Sequence, residues 1–277
     1  MIRFRSGWLS LAALLVLAAC TSNREPPPVL ATPGVAGVGT PTTERPVADR
    51  PPANEDERRA RIHVELGEAY LQASNFGVAL DEARLALGYA PNYAPAFLLV
   101  ASVHMFLEDQ AAARANFEQA LRLAPQDPEI NNTYGWFLCV SGHEKQGLER
   151  LALAARNPYY QHPARAYTNL GLCQLRIKDE TAAETSFLRA LQQDAGNAQA
   201  LFQLADMAFR RGNAEAAQRY LVALHRVVQP SAQSAWLGLR VERRLGNREA
   251  ASSYAQQLKS RHPSSPEYEL LIQGKLE

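Results

Sequence analysis

Residues 94–127 read APAFLLVASVHMFLEDQAAARANFEQALRLAPQD and contain the pattern that decides the fold. A small residue, Ala101, is followed at helical spacing by Ala113, Phe117 and Ala120. Comparable series recur along the chain, and each has a small residue at the same place: Gly67, Ala101, Gly135, Gly171, Ala205 and Gly238. Their intervals of 34, 34, 36, 34 and 33 residues indicate an internal repeat in which each unit buries its apolar face against its neighbours.

This pattern resembles the tetratricopeptide repeat, which has a large–small pair at positions seven and eight, Ala at twenty, a large residue at twenty-four and Ala at twenty-seven. The resemblance implies an all-α, right-handed superhelix of about six helix pairs whose first helices line a concave groove. Residues 56–277 would form this domain. The predicted repeats are 60–93, 94–127, 128–163, 164–197, 198–230 and 231–264, followed by a cap at 265–277.

The chain begins with the features of an export signal. Arg3 and Arg5 precede an apolar run over residues 9–19, which is too short to span a bilayer. The ending Leu-Ala-Ala-Cys resembles the lipobox of bacterial lipoproteins, so residues 1–19 are predicted to be removed and Cys20 to be lipidated. Thr21 is not the aspartate that signals inner-membrane retention, which implies the periplasmic face of the outer membrane. The alternative is an ordinary secretory signal that ends in cysteine.

Residues 20–55 differ in composition from the rest of the chain. The segment from Thr21 holds eight of the seventeen prolines and no aromatic residue. Such a segment cannot bury enough apolar surface to offset the entropy of ordering. The sequence therefore predicts a disordered tether between the lipid anchor and the repeats.

Nothing in the sequence indicates catalysis. The six histidines have no metal-binding spacing, and no HExxH, GxSxG or CxxC motif is present. A net charge of +1 does not suggest nucleic acid as a partner. Cys139 and His143 lie four residues apart, but His143 falls in a predicted turn, and a catalytic thiol would have to be free. We expect no enzyme activity, cofactor, metal or small-molecule substrate.

Two cysteines remain besides Cys20. Cys139 and Cys173 lie on the first helices of the third and fourth repeats, offset by two positions, or about 200° around a helix. This offset suits a disulfide between neighbouring helices of an exported protein. The alternative is two buried free cysteines in the core.

The residues predicted to face the groove lie at positions two, five, nine, twelve and thirteen of each repeat. In the third repeat they include Trp136 beside Asn132, which could provide buried area and an amide for a bound peptide. The alternative is that Trp136 packs against a neighbouring helix. The full set is Leu98, Met105, Asn132, Trp136, Arg165, Thr168, Arg176, Phe202, Asp206 and Phe209.

Two segments carry a closer resemblance: NNTYGWFLCVSGHEKQGLERLALAARNPYY (131–160) and YTNLGLCQLRIKD (167–179). With the lipobox, the tether and the repeats, they are similar to the type IV pilus biogenesis/stability lipoprotein family, the PilW/PilF pilotins. The resemblance implies that the partner is the type IV pilus secretin, which the protein would help to reach the outer membrane and to multimerise. The alternative is a periplasmic repeat lipoprotein that serves as an adaptor for cell-wall enzymes.

Overall fold

The computed structural model describes residues 44–275, and within this range it contains thirteen α-helices, one short 3₁₀ turn and no β-strand. Twelve of the helices form six consecutive pairs, and a shorter helix follows them. The pairs are α1 (Glu55–Gln72) with α2 (Phe76–Tyr89), α3 (Ala94–Phe106) with α4 (Gln110–Leu123), α5 (Pro128–Val140) with α6 (Glu144–Arg156), α7 (Pro163–Arg176) with α8 (Glu180–Gln193), α9 (Ala198–Arg210) with α10 (Ala214–Val227), and α11 (Ala232–Arg244) with α12 (Arg248–Arg261); the last helix is α13 (Pro266–Ile272).

Short polar signals fix where the helices begin. Asp109, Asp127 and Asp179 each accept a hydrogen bond from a backbone N–H group in the first turn of the helix that follows. Such caps satisfy donors that a helix leaves unpaired at its N-terminus. Proline stands in the first turn of α3, α5, α7 and α13, where its missing N–H group costs nothing.

The small residues at position eight allow the two helices of a pair to approach closely. A Cβ atom on Gly171 would lie 2.6 Å from Cε1 of Phe187 on the paired helix. Large side chains fill the space between repeats: the ring of Phe117 lies 5.2 Å from that of Tyr134 and 5.1 Å from that of Phe137. The predicted all-α tetratricopeptide-repeat architecture is confirmed.

The segment before α1 differs from the prediction of a disordered tether that runs through residue 55. Residues 44–50, named the strap here, contact the repeats and include a 3₁₀ turn at Val47–Asp49. The N–H group of Val47 donates to Oδ2 of Asp127 at 2.7 Å, and Asn157 Nδ2 donates to the carbonyl of Glu44 at 2.9 Å. Pro46 is buried, and Val47 packs against the core. These partners lie 80 or more residues away, so composition alone could not reveal them.

Within residues 44–275, no helix is both long enough and apolar enough to cross a membrane. The predicted signal peptide (1–19) and the predicted lipidation residue Cys20 lie outside the described residues.

Candidate binding groove

An open groove of about 520 Å³ lies along the first helices of repeats one to three and the start of α7. The strap forms one of its walls. The floor is apolar, and it includes Phe106, which is 59% exposed and stacks on Phe76 with ring centroids 6.0 Å apart. An exposed aromatic ring on a concave apolar surface is typical of a protein-binding site. The apolar residues of the floor are Leu71, Leu98, Leu99, Met105 and Phe106.

A polar network lines the groove at the start of α5, the α6–α7 connection and the start of α7. The Tyr160 hydroxyl donates to Oε2 of Glu129 at 3.0 Å, and Arg165 donates to both oxygens of the same carboxylate. Arg165 also donates to the Tyr160 hydroxyl at 2.7 Å. Burial, followed by the Glu129 charge, raises the pKa of Tyr160. Burial alone would lower the pKa of Arg165. The electrostatic interaction with Glu129, followed by that with Tyr160, outweighs burial and raises this pKa. The network therefore holds these charges in fixed positions at the groove.

Glu68 on α1 is an acidic group of the groove whose pKa is raised strongly. Water reaches this side chain, but surrounding protein partly desolvates its carboxyl group, and the charges of Glu129 and Glu65 add to the effect. Together they raise the pKa of Glu68 from 4.5 to about 7, while Arg165 acts in the opposite direction. The charge that Glu68 brings to the groove thus changes close to neutral pH.

This raised pKa predicts a pH-dependent stability. Between pH 4.5 and about 7 the folded chain binds more protons at Glu68 than the unfolded chain, so this group's contribution is present at low pH and is lost as the pH rises through 7. We expect Glu68→Gln to raise the free energy of unfolding at pH 8 and to change it little at pH 5. Urea unfolding at both pH values measures this. The same difference at both values would contradict the raised pKa.

A disulfide joins α5 to α7, two of the helices that contribute residues to the groove. Cys139 on α5 and Cys173 on α7 are bonded with a Cα–Cα distance of 5.8 Å, and both are fully buried beside Leu151. The bond ties the helix that carries Glu129 to the helix that carries Arg165. A bonded Cys139 cannot serve as a nucleophile. No group of three or more His, Cys, Asp or Glu side chains in the described part of the chain is arranged to hold a metal ion.

Three of the residues predicted for the groove line it, namely Leu98, Met105 and Arg165. Asn132 and Thr168 do not face it. Asn132 is 2% exposed and accepts a hydrogen bond from Asn169 of α7 at 3.0 Å. Thr168 is 6% exposed and donates to the Ala164 carbonyl at 2.8 Å. These two assignments are corrected, because Asn132 contacts the neighbouring first helix and Thr168 bonds back to its own helix.

The other predicted residues lie apart from this groove. Trp136 is half-buried on α5, and Arg176 on α7 faces Glu144 with its Nε 3.7 Å from Oε1. On α9, Asp206 pairs with Arg210, and the aromatic residues pack against the core of the fifth and sixth repeats. Those aromatic residues are Phe202 and Phe209.

Among the groove residues absent from the predicted set are Glu68, Phe106 and Tyr160. Glu68 is at position nine of the first repeat, and Phe106 is at position thirteen of the second. The repeat numbering could therefore have identified both. Tyr160 lies in the connection between α6 and α7, where the repeat interval is two residues longer than 34. No repeat pattern predicts where such a loop points.

The sequence was compared with protein families and with known proteins. The tetratricopeptide-repeat family matches residues 94–127 and 146–198. The type IV pilus assembly protein PilF of Pseudomonas aeruginosa is 27% identical over 224 residues, which are 80% of this chain and 89% of that protein.

Solved structures extend the comparison to three dimensions. A structure of Pseudomonas aeruginosa PilF has a TM-score of 0.74 at 26% identity and covers 80% of this chain and all of the other. A structure of PilW, described as a widely conserved type IV pilus biogenesis factor, has a TM-score of 0.70 at 28% identity, with 79% of this chain and all of the other covered. The chain has the tetratricopeptide-repeat architecture, and it is similar to these type IV pilus proteins over about four fifths of its length.

Proposed function

We propose that this protein is an outer-membrane lipoprotein that acts as the pilotin and assembly factor of the type IV pilus secretin. In this proposal, lipidated Cys20 anchors the chain to the periplasmic face, and the groove of repeats one to four binds the secretin and promotes its localisation and multimerisation. The protein makes and breaks no bond in its partner.

The observation that carries the proposal is the open apolar groove in a chain that resembles PilF and PilW over about four fifths of its length. Phe106 provides an exposed aromatic anchor on its floor. The network of Glu129, Tyr160 and Arg165 provides fixed polar groups beside that anchor. An apolar centre with a polar rim is the usual arrangement of a protein interface.

A substitution in the groove tests which surface binds. We expect Phe106→Asp to weaken capture of the purified secretin by about tenfold, because it replaces a central apolar anchor by a charge. The matched control is Leu188→Asp, which changes an exposed leucine on the second helix of the fourth repeat and should leave capture unchanged. Equal capture by all three proteins, measured by biolayer interferometry, would show that the groove is not the binding surface.

The cellular role is tested by deleting the gene and following the secretin by membrane fractionation. The proposal expects heat-resistant multimers to disappear, or subunits to accumulate away from the outer membrane. The wild-type gene should restore assembly, whereas Cys20→Ala should not. Normal secretin assembly in the deletion strain would reject the pilotin role and favour an adaptor for another envelope system, such as cell-wall enzymes.

A further inference from the structure

A recurring contact joins the first helix of the second, fourth and fifth repeats to the second helix of the preceding repeat. It pairs position thirteen of one repeat with position seventeen of the repeat before it. Between the first two repeats the contact is the stack of Phe106 on Phe76. Further along it becomes ionic: Arg176 faces Glu144, and Arg210 donates to Glu180 at 2.6 Å. A second ion pair joins position fourteen of the fifth repeat, Arg211, to position twenty-one of the fourth repeat, Glu184.

The sixth repeat keeps the arginines and lacks their partners. Arg243 and Arg244 occupy positions thirteen and fourteen, but the preceding repeat has Ala214 and Gln218 where the fourth repeat has Glu180 and Glu184. The nearby carboxylate of Glu242 is buried and accepts hydrogen bonds from Gln218 Nε2 and Asn247 Nδ2.

Arg248, at the start of α12, is a third exposed arginine of this turn. Within residues 44–275, no carboxylate lies within 4.0 Å of the charged nitrogens of Arg243, Arg244 or Arg248. Neither Glu215 nor Glu249, the exposed acidic residues nearby in sequence, pairs with them. None of these three guanidinium groups thus forms an ion pair within residues 44–275.

Two of these arginines border an open cleft of about 560 Å³ between α11, α12 and α13. The cleft exists because α13 has seven residues, about half the length of the thirteen-residue α11, and covers only part of the surface that a full first helix would cover. Its apolar lining comes from Leu239, Ala251, Ala255 and Leu271, and its rim from Arg243 and Arg248.

We propose that this cleft, named the terminal cleft, binds an acidic amphipathic segment of a partner protein. The guanidinium groups of Arg243 and Arg248 take carboxylates, and the recess between the helices takes an apolar side chain next to them. Arginine suits this role because its planar donors match a carboxylate in two-point contact. A flat membrane surface matches the site less well, because lipid headgroups cannot place an apolar group in a recess behind the charges. The site is separate from the groove of repeats one to four.

The test uses the full chain and a fluorescein-labelled peptide of twelve residues built from three Glu-Glu-Leu-Ala units. Fluorescence anisotropy is expected to show saturable binding that weakens with added salt. A peptide with glutamine in place of glutamate should not bind. Arg243→Gln combined with Arg248→Gln should weaken binding by about tenfold or more, because charge-assisted hydrogen bonds are lost.

The matched control is Arg176→Gln combined with Arg210→Gln, which removes two arginines that already face glutamates. It should change peptide binding less than twofold, roughly the effect of a small change in net charge. Ser252→Trp fills the cleft while keeping every charge, and it should also weaken binding. Circular dichroism of each variant checks that the fold is intact.

Three results would overturn the proposal. The first is no peptide binding by the wild type at concentrations up to about 1 mM. The second is equal weakening by the two arginine pairs, which would indicate only a general charge effect. The third is an absence of peptide binding together with a loss, in Arg243→Gln/Arg248→Gln, of binding to phosphatidylglycerol vesicles, which would assign the arginines to a membrane surface.

Discussion

Replacing both Cys139 and Cys173 by alanine is expected to lower the free energy of unfolding by about 3–4 kcal/mol. The disulfide closes a loop of 34 residues, and this cross-link restricts the unfolded chain by about that amount on the chain-entropy account. The expected fall in Tm is roughly 10 °C for a domain of this size. Urea unfolding monitored by circular dichroism measures the change.

Reduction of the wild type provides the control for this prediction. Wild type treated with a thiol reductant loses the cross-link and keeps both sulfur atoms, so its loss of stability isolates the constraint on the chain from any change in packing around Leu151. Because the bond ties α5 to α7, we also expect weaker partner capture by the groove. An unchanged urea midpoint in both the variant and the reduced protein would contradict the stabilising role of the bond.

Gly147→Ala is expected to destabilise the fold by about 2–3 kcal/mol, although alanine is the better helix former. A Cβ atom on Gly147 would lie 2.7 Å from the carbonyl oxygen of Gly135 and 3.0 Å from the backbone nitrogen of Cys139. Both atoms belong to the backbone of α5, so no side chain can rotate away. The two helices would have to separate beside the disulfide.

Gly88→Ala is the matched control. Gly88 lies in α2, and a Cβ atom there would meet no other atom within 4 Å. The same substitution should therefore stabilise the chain by about 0.5–1 kcal/mol through helix propensity. Thermal and urea unfolding of the two variants give the comparison. Similar changes in both would show that the α5–α6 contact can relax.

The predictability of the groove depended on the position within the repeat. Leu98, Met105 and Arg165 were found from the repeat numbering, because positions two, five and twelve can face the concave side in these repeats. Asn132 and Thr168 share position five with Leu98, yet neither lines the groove, because Asn132 pairs with Asn169 of α7 and Thr168 with Asn197 at the start of α9. The repeat position alone therefore does not decide which side chains line the groove.

The sequence by itself determined the repeat architecture. A spacing of about 34 residues between small side chains, from Gly67 to Gly238, requires helix pairs that pack closely on their neighbours, and each of these contacts is local. Only the tertiary structure decided what lies along the edges of the array. Contacts between distant segments decide that the strap lies on Asp127 and that Tyr160 lies at the groove. The place of Arg243 at the terminal cleft depends on contacts that are missing at the end of the array. Such contacts follow from how the repeats stack, and the spacing of the small residues alone does not report them.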